Sequence, residues 1–202
     1  HLVLTTHHIL IDGWSMPLII RELFALYADD GLGLASPAPY KSYLAHLVGR
    51  DRAASLEAWR RALDGFSEAT LVAPEGPSGT KGATTLPERH TFDLPADFTA
   101  ELNSWARERG HTLNTVLQGA WAAVLGALTG QRDVVFGGTV SGRPPELDGV
   151  ESMVGLFINT CPVRVDLDPY RTFPQILDEL SSRRTALLSS SRICGKVRYG
   201  SR

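Results

Sequence analysis

Several features that mark whole classes of protein are scarce in this sequence of 202 residues. Its two cysteines, Cys161 and Cys194, are too few and too far apart for a disulfide framework or a thiolate metal site. It has no apolar run of about 18 residues that could cross a bilayer. Neither sign of charge dominates, because 20 Lys and Arg face 22 Asp and Glu, for a formal net charge of −2. These absences argue against nucleic acid and membrane partners, and the cysteine usage predicts a reducing, cytoplasmic location.

The start of the sequence also lacks the features of a natural N-terminus. The first residue is His1, and neither a charged n-region nor a small-residue cleavage site follows. The residues 1–6 already have the composition of a β-strand. We therefore expect the chain to be an excerpt from a longer polypeptide.

Apolar residues make up 43% of the sequence, which is ample for the core of one or two ordinary domains. Their spacing predicts helices and strands in alternation, which is typical of the α/β or α+β class. Strands are predicted over 1–6, 89–94, 133–140 and 156–165. Helices are predicted over 16–27, 40–63, 97–109, 112–129 and 173–188. Ser15 is the expected N-cap of the first helix, and the breadth of the apolar pattern in 112–129 predicts a buried helix.

The clearest linker is PEGPSGTKGATT, which begins at Pro74 and is rich in glycine, proline, serine and threonine. It predicts a first region over 1–73, a linker over 74–87 and a second region over 88–188. The last residues, 189–202, form an atypical tail.

The candidate chemistry lies where the first strand meets the first helix. His7 and His8 are followed by Asp12 and Gly13, and imidazole is the side chain that gains and loses a proton near neutral pH, with an ordinary pKa of about 6.5. Neighbours in a strand point to opposite faces, so only one of the two histidines can face a given cleft. The spacing of His8 and Asp12 would also suit two metal ligands, although no third ligand is evident. There is no GxSxG nucleophile motif, and Cys161 is interpreted as a buried structural thiol.

Two segments together carry a family resemblance. The first is HHILIDGWS at 7–15, and the second is VSGRPPELDGVESMVGLFINTCPVRV at 140–165. The pair resembles the HHxxxDG and VGxFxNTxxxR motifs of condensation domains from nonribosomal peptide synthetases. QGAWA at 118–122 and DVVFGGTVSGRP at 133–144 are also similar. The resemblance implies the chloramphenicol acetyltransferase-like fold of two lobes, here truncated to the end of lobe one and most of lobe two.

What the resemblance implies for chemistry is peptide-bond formation between two carrier-bound thioesters. His8 would be a general base or would position the acceptor amine, with His7 in support. Asp12 would hold the loop by pairing with an arginine from an upstream motif, and Gly13 would leave space for the substrate. Asn159 would support the tunnel wall or contact the substrate directly. The residues expected to bind substrate are Trp14, Ser15, Ser141 and Asn159, and no metal is expected.

The same resemblance implies partners and a subtype. Upstream and downstream peptidyl carrier domains would bring the substrates on phosphopantetheine arms, next to an adenylation domain of the same synthetase. No cofactor would be held by this chain itself. The motifs look most like the subtype that accepts a donor with a D-configured terminal residue, or like dual epimerization and condensation variants. Alternatives are another acyltransferase of this fold, using an alcohol or coenzyme A substrate, and a non-catalytic relative that recruits a partner. We expect residues 1–202 alone to be inactive.

Overall fold

The computed structural model describes residues 1–73 and 88–191, which contain six α-helices and two β-strands. The mixed α/β class predicted from the sequence is thereby confirmed. In chain order the elements are α1 (Ser15–Asp29), α2 (Tyr40–Val48), α3 (Arg52–Ala62), α4 (Ala96–Glu108), α5 (Leu113–Thr129), β1 (Asp133–Val140), β2 (Asn159–Asp166) and α6 (Phe173–Ser191).

Most predicted elements are present, with three differences. The helix expected over 40–63 is interrupted between α2 and α3, where Gly49 ends α2. The strands expected over 1–6 and 89–94 are not formed, because neither segment has a hydrogen-bonded neighbour strand among the described residues. The linker at 74–87 and most of the tail lie outside the described residues.

The described chain divides into two compact units, one with residues 1–60 and 138–161 and the other with 61–137 and 162–187. In the second unit, α5 and α6 pack on β1 and β2. The buried residues of that core are Ala122, Leu125, Val134, Val165, Ile176 and Leu180. The first unit has a smaller core, formed by Tyr43, Val150, Met153 and Phe157. This smaller core lies beside the residues that the motifs singled out.

The strands β1 and β2 form a two-stranded sheet. The Leu167 N–H donates to the Arg132 carbonyl at 2.7 Å, so the start of β1 lies beside the end of β2 and the strands are antiparallel. At the same end, Arg164 binds both carboxylate oxygens of Asp133 and also donates to the backbone carbonyls of Ala62 and Asp64 after α3. Arg164, the arginine of the second motif, therefore connects the sheet to the C-terminal end of α3.

The expectation that α5 is a buried helix is wrong. Its inner face, with Val116, Ala122 and Leu125, is buried, whereas Leu117 and Trp121 on the other face are about half exposed. Apolar residues lie on both faces of α5, and only one face is covered by other parts of the described chain.

Two smaller expectations can be tested against the structure. Cys161 is buried in β2, in agreement with the buried position predicted from the sequence. No helix among the described residues has the length and apolar character needed to span a membrane.

Candidate active site

The carboxylate of Asp12 is the most completely bonded polar group in the HHxxxDG segment. Its Oδ1 accepts from the backbone N–H of Ser15 at 2.9 Å and from the Ser15 hydroxyl at 2.8 Å. Its Oδ2 accepts from the backbone N–H groups of Phe157 and Ile158, at 3.0 and 3.2 Å. The residue is 5% exposed. One buried carboxylate thus joins the two motifs across more than 140 residues of sequence.

These contacts set the protonation state of Asp12. Burial alone would raise its pKa, since it disfavours the charged form. The hydrogen bonds from the Ser15 hydroxyl and from the N–H groups of Phe157, Ser15 and Ile158 act in the opposite direction and outweigh burial, so the pKa of Asp12 lies below its usual value of 3.8. Asp12 is therefore an ionised structural anchor at neutral pH and not a proton donor.

Ser15 is fully buried and completes the same junction. Besides Asp12, its hydroxyl lies 2.8 Å from the Gly155 carbonyl and accepts from the Gly155 N–H at 3.0 Å. The expected N-cap role is wrong, because Ser15 is the first residue of α1, with Trp14 at the N-cap position. The first helical amide is bonded instead by Asp12, which precedes the helix by three residues.

Arg143 supplies the positive charge next to Asp12. Its guanidinium lies 3.6 Å from Asp12 Oδ1, and both side chains are buried. It also donates to the carbonyls of Val150 and Met153, and it lies 3.9 Å from the centre of the Phe157 ring. The described residues thus contain an arginine partner for Asp12, whereas the sequence predicted one from an upstream motif.

Gly142 explains how Arg143 reaches this position. Gly142 has a φ of +65°, and a Cβ there would lie 1.9 Å from the Phe157 carbonyl oxygen. Only glycine allows both the left-handed backbone and the close approach. We refer to Asp12, Ser15, Arg143 and the backbone of residues 155–158 as the Asp12 clamp.

The two histidines lie outside the clamp and are exposed. The Leu10 N–H donates to the His7 carbonyl at 2.9 Å, which closes a turn with His8 as its second residue. The Ile9 N–H donates to His7 Nδ1 at 3.1 Å, which requires that nitrogen to be unprotonated. His7 is thus held within the turn, and the expected placement of the pair on opposite faces of a strand is wrong because no strand is present.

The next two motif residues border open space. A Cβ added to Gly13 would meet no atom within 4 Å. The Trp14 side chain is 58% exposed, its indole N–H donates to the Glu151 carbonyl at 3.3 Å, and its ring centre lies 6.0 Å from the Arg143 guanidinium. Gly13 and Trp14 therefore lie on the accessible side of the Asp12 clamp.

Ser141 is exposed next to Gly142, and Asn159 is the half-buried first residue of β2. Asn159 Oδ1 accepts from the Thr160 N–H at 2.9 Å. The structure brings His7, His8, Asp12, Gly13, Trp14, Ser15 and Ser141 into one compact unit together with Asn159. Substrate contact by any of them stays a prediction.

Sequence reasoning missed Arg143 and the role of the 155–158 backbone. The strand expected over 156–165 begins only at Asn159, because the N–H groups of Phe157 and Ile158 bond to Asp12 instead of a neighbouring strand. The one signal in the sequence was an arginine between glycine and proline, in a loop that also contains acidic residues. Within the described residues, no cluster of three metal-ligating side chains is present.

Comparison with known proteins places the chain in one family. The model of the family described as condensation domain matches residues 1–192. The chain therefore belongs to the condensation domain family.

The chain is also similar to segments of much longer synthases. It is 42% identical over 190 residues to chondramide synthase from Chondromyces crocatus and 41% identical over 185 residues to one of the linear gramicidin synthase proteins from Brevibacillus parabrevis. These alignments cover 91% and 90% of the chain but only 5% and 2% of the relatives. The first condensation domain of the CDA synthetase has a TM-score of 0.75 at 25% identity, with 95% of this chain and 43% of that chain covered. The chain thus has part of the condensation-domain, chloramphenicol acetyltransferase-like fold and spans less than half of that solved relative.

Proposed function

We propose that these residues contribute to an active site that joins a carrier-bound donor acyl thioester to a carrier-bound acceptor amine. The amine nitrogen attacks the thioester carbonyl, a tetrahedral adduct forms, and the C–S bond breaks as the amide forms. The nitrogen loses one proton, and the departing sulfur takes up one proton. No redox partner is needed, because the thioester supplies the activated acyl group.

His8 is the residue proposed to act on the amine. It lies exposed in its turn, so a substrate can reach the imidazole, and it can accept the amine proton or hold the amine by a hydrogen bond. His7 supports the turn through its bond to the Ile9 N–H. The observation that carries the proposal is this pairing of an accessible histidine with a buried, fully bonded Asp12 four residues later.

The remaining predicted residues divide by exposure. Gly13, Trp14 and Ser141 are accessible and are proposed to border the substrate, with Asn159 at the start of β2. Ser15 is fully buried and is proposed to act through Asp12. A donor with a D-configured terminal residue is the proposed subtype, and it rests on the motif resemblance.

The proposed partners follow from the family. The linear gramicidin synthase protein that the chain resembles is about fifty times longer than the matched segment, which covers 2% of it, as expected for an assembly of many domains. Peptidyl carrier domains would deliver both substrates on phosphopantetheine, and an adenylation domain would activate the amino acids. A cytoplasmic location stays a prediction.

The decisive experiment uses the longest natural polypeptide that contains these residues, with donor and acceptor carriers loaded, and measures the amide product by mass spectrometry. The His8→Ala variant should lose roughly 100-fold or more of the rate, because it removes the proposed proton acceptor or positioning group. Its free energy of unfolding should stay within about 0.5 kcal/mol of the wild-type value, because the side chain is exposed.

His90→Ala is the matched control, since His90 is also exposed but lies outside both motifs. Its rate should equal that of the wild type. Full turnover by His8→Ala would disprove the assignment of His8. Pairs of donors with L- and D-configured terminal residues would test the subtype in the same assay.

A further inference from the structure

Tyr40 packs against the 155–158 segment of the Asp12 clamp. It is the first residue of α2, and its ring packs on Gly155 so closely that a Cβ there would lie 2.2 Å from the ring. The ring is also perpendicular to that of Phe157, with centres 5.2 Å apart. Tyr40 therefore contacts two residues of the segment that holds the Asp12 carboxylate.

The hydroxyl of Tyr40 makes the more specific contact. It donates to the Leu156 carbonyl oxygen at 2.6 Å. That carbonyl belongs to the same peptide group as the N–H of Phe157, and this N–H donates to Asp12 Oδ2 at 3.0 Å. Phenol, peptide group and carboxylate form one continuous chain of hydrogen bonds.

Such a chain is cooperative. A donor on a peptide oxygen withdraws electron density from the nitrogen, and the N–H becomes a stronger donor to its own acceptor. The effect is largest out of water, and both Asp12 and Phe157 are buried. Loss of the hydroxyl would therefore weaken a bond to Asp12 that the tyrosine itself does not make.

The hydroxyl keeps its proton in this environment. Burial raises the pKa of Tyr40, the negative charge of Asp12 raises it further, and the positive charge of Arg143 offsets only part of this. Tyr40 is a donor throughout the neutral range.

We propose that Tyr40 is a positioning residue for the HHxxxDG loop, and that its hydroxyl strengthens the Phe157 N–H bond to Asp12 through the intervening peptide group. The inference rests on the proposed function, since the loop it positions is the one that carries His8. Tyr40 itself touches no reacting atom.

Tyr40→Phe in the intact polypeptide removes the hydroxyl and keeps the ring. Hydrogen exchange, measured by mass spectrometry on peptides that span 154–159, should become about 2- to 10-fold faster, as expected for the loss of one hydrogen bond. The kcat for amide formation should fall by a similar factor with KM unchanged, because the substitution acts on the position of the loop that carries His8. Tyr40 replaced by 3-fluorotyrosine, a stronger donor of similar shape, should slow the exchange.

Tyr43→Phe is the control, because Tyr43 belongs to the same aromatic cluster, with its ring centre 4.6 Å from that of Phe157. It should leave both the exchange over 154–159 and the kcat unchanged. Equal effects of the two variants, or unchanged exchange in Tyr40→Phe, would overturn the proposal, and so would faster exchange with unchanged kcat. Should the wild type form no amide, the proposed function fails, and the exchange data still decide whether Tyr40 strengthens the clamp.

Discussion

The HHxxxDG motif has two ends with opposite surroundings. Asp12 is buried and accepts hydrogen bonds from three residues, whereas His7 and His8 are exposed in a turn. The partners of Asp12 come from residues 155–158 and from Arg143, far along the chain, as well as from Ser15. The partners of the histidine turn are its own neighbours, since Leu10 bonds to the His7 carbonyl.

The difference separates two tasks within one short sequence. The aspartate end fixes the loop to the second motif, and tight bonding serves that task. The histidine end is proposed to receive a substrate, and a side chain enclosed by protein could not do so. A single motif can therefore contain residues whose loss damages stability and residues whose loss damages only chemistry.

Substitution of Asp12 gives the largest expected effect. Asp12→Ala leaves the N–H groups of Phe157 and Ile158 and the guanidinium of Arg143 without their buried acceptor. We expect a loss of about 3–5 kcal/mol in the free energy of unfolding, measured by urea denaturation. Asp29→Ala, at the exposed end of α1, is the control and should change stability by less than about 0.5 kcal/mol. Similar losses for the two variants would show that the clamp does not stabilise the unit.

Two glycine-to-alanine substitutions test the same difference between the buried and the accessible side by adding one methyl group to each. Gly155→Ala places a Cβ 2.2 Å from the Tyr40 ring, and the ring cannot move away without loss of its bond to Leu156. The expected cost is about 1–3 kcal/mol, the usual range for an overpacked site. Gly13→Ala, with no atom within 4 Å of the new methyl group, should be neutral in a thermal unfolding experiment. A neutral Gly155→Ala would contradict the packing of Tyr40 on the 155–158 segment.

The smallest expected effect is a dependence of stability on pH. The pKa of Asp12 in the folded protein lies below its ordinary value of 3.8, so folding favours the ionised form. This contribution is fully present above the ordinary value and is lost as the pH falls through the lowered one. The free energy of unfolding, measured between neutral and acidic pH, should therefore fall more steeply with pH in the wild type than in Asp12→Asn. Parallel curves would mean that Asp12 titrates alike in the folded and unfolded chain.

The sequence predicts the bounds of a helix or strand well where side-chain spacing and residues at its ends determine them. The bounds of β1 agree with the predicted 133–140, and α4 and α5 begin one residue away from the predicted starts. Gly130, in the left-handed region, ends α5 at the predicted residue. Side-chain spacing and a C-terminal glycine are sufficient for elements of this kind.

The parts that the sequence could not predict depend on contacts between distant residues. β2 begins three residues after the predicted start at 156, because Asp12 takes the N–H groups of Phe157 and Ile158, and nothing near residue 156 indicates this. Arg143 could be identified as the partner of Asp12 only once Gly142 and the 155–158 segment were placed in space. The sequence is enough to list the motif residues, but it does not show which hydrogen bonds hold them in place.

The Asp12 clamp also bears on how condensation domains can be recombined. Loop 12–15 and segment 155–158 are joined by at least four hydrogen bonds that span 140 or more residues, and Gly155 in that segment has no room for a side chain beside Tyr40. A crossover placed between them would combine a loop from one parent with a receiving backbone from another. Chimeric condensation domains built from this chain should therefore inherit both segments, together with Tyr40, from a single parent.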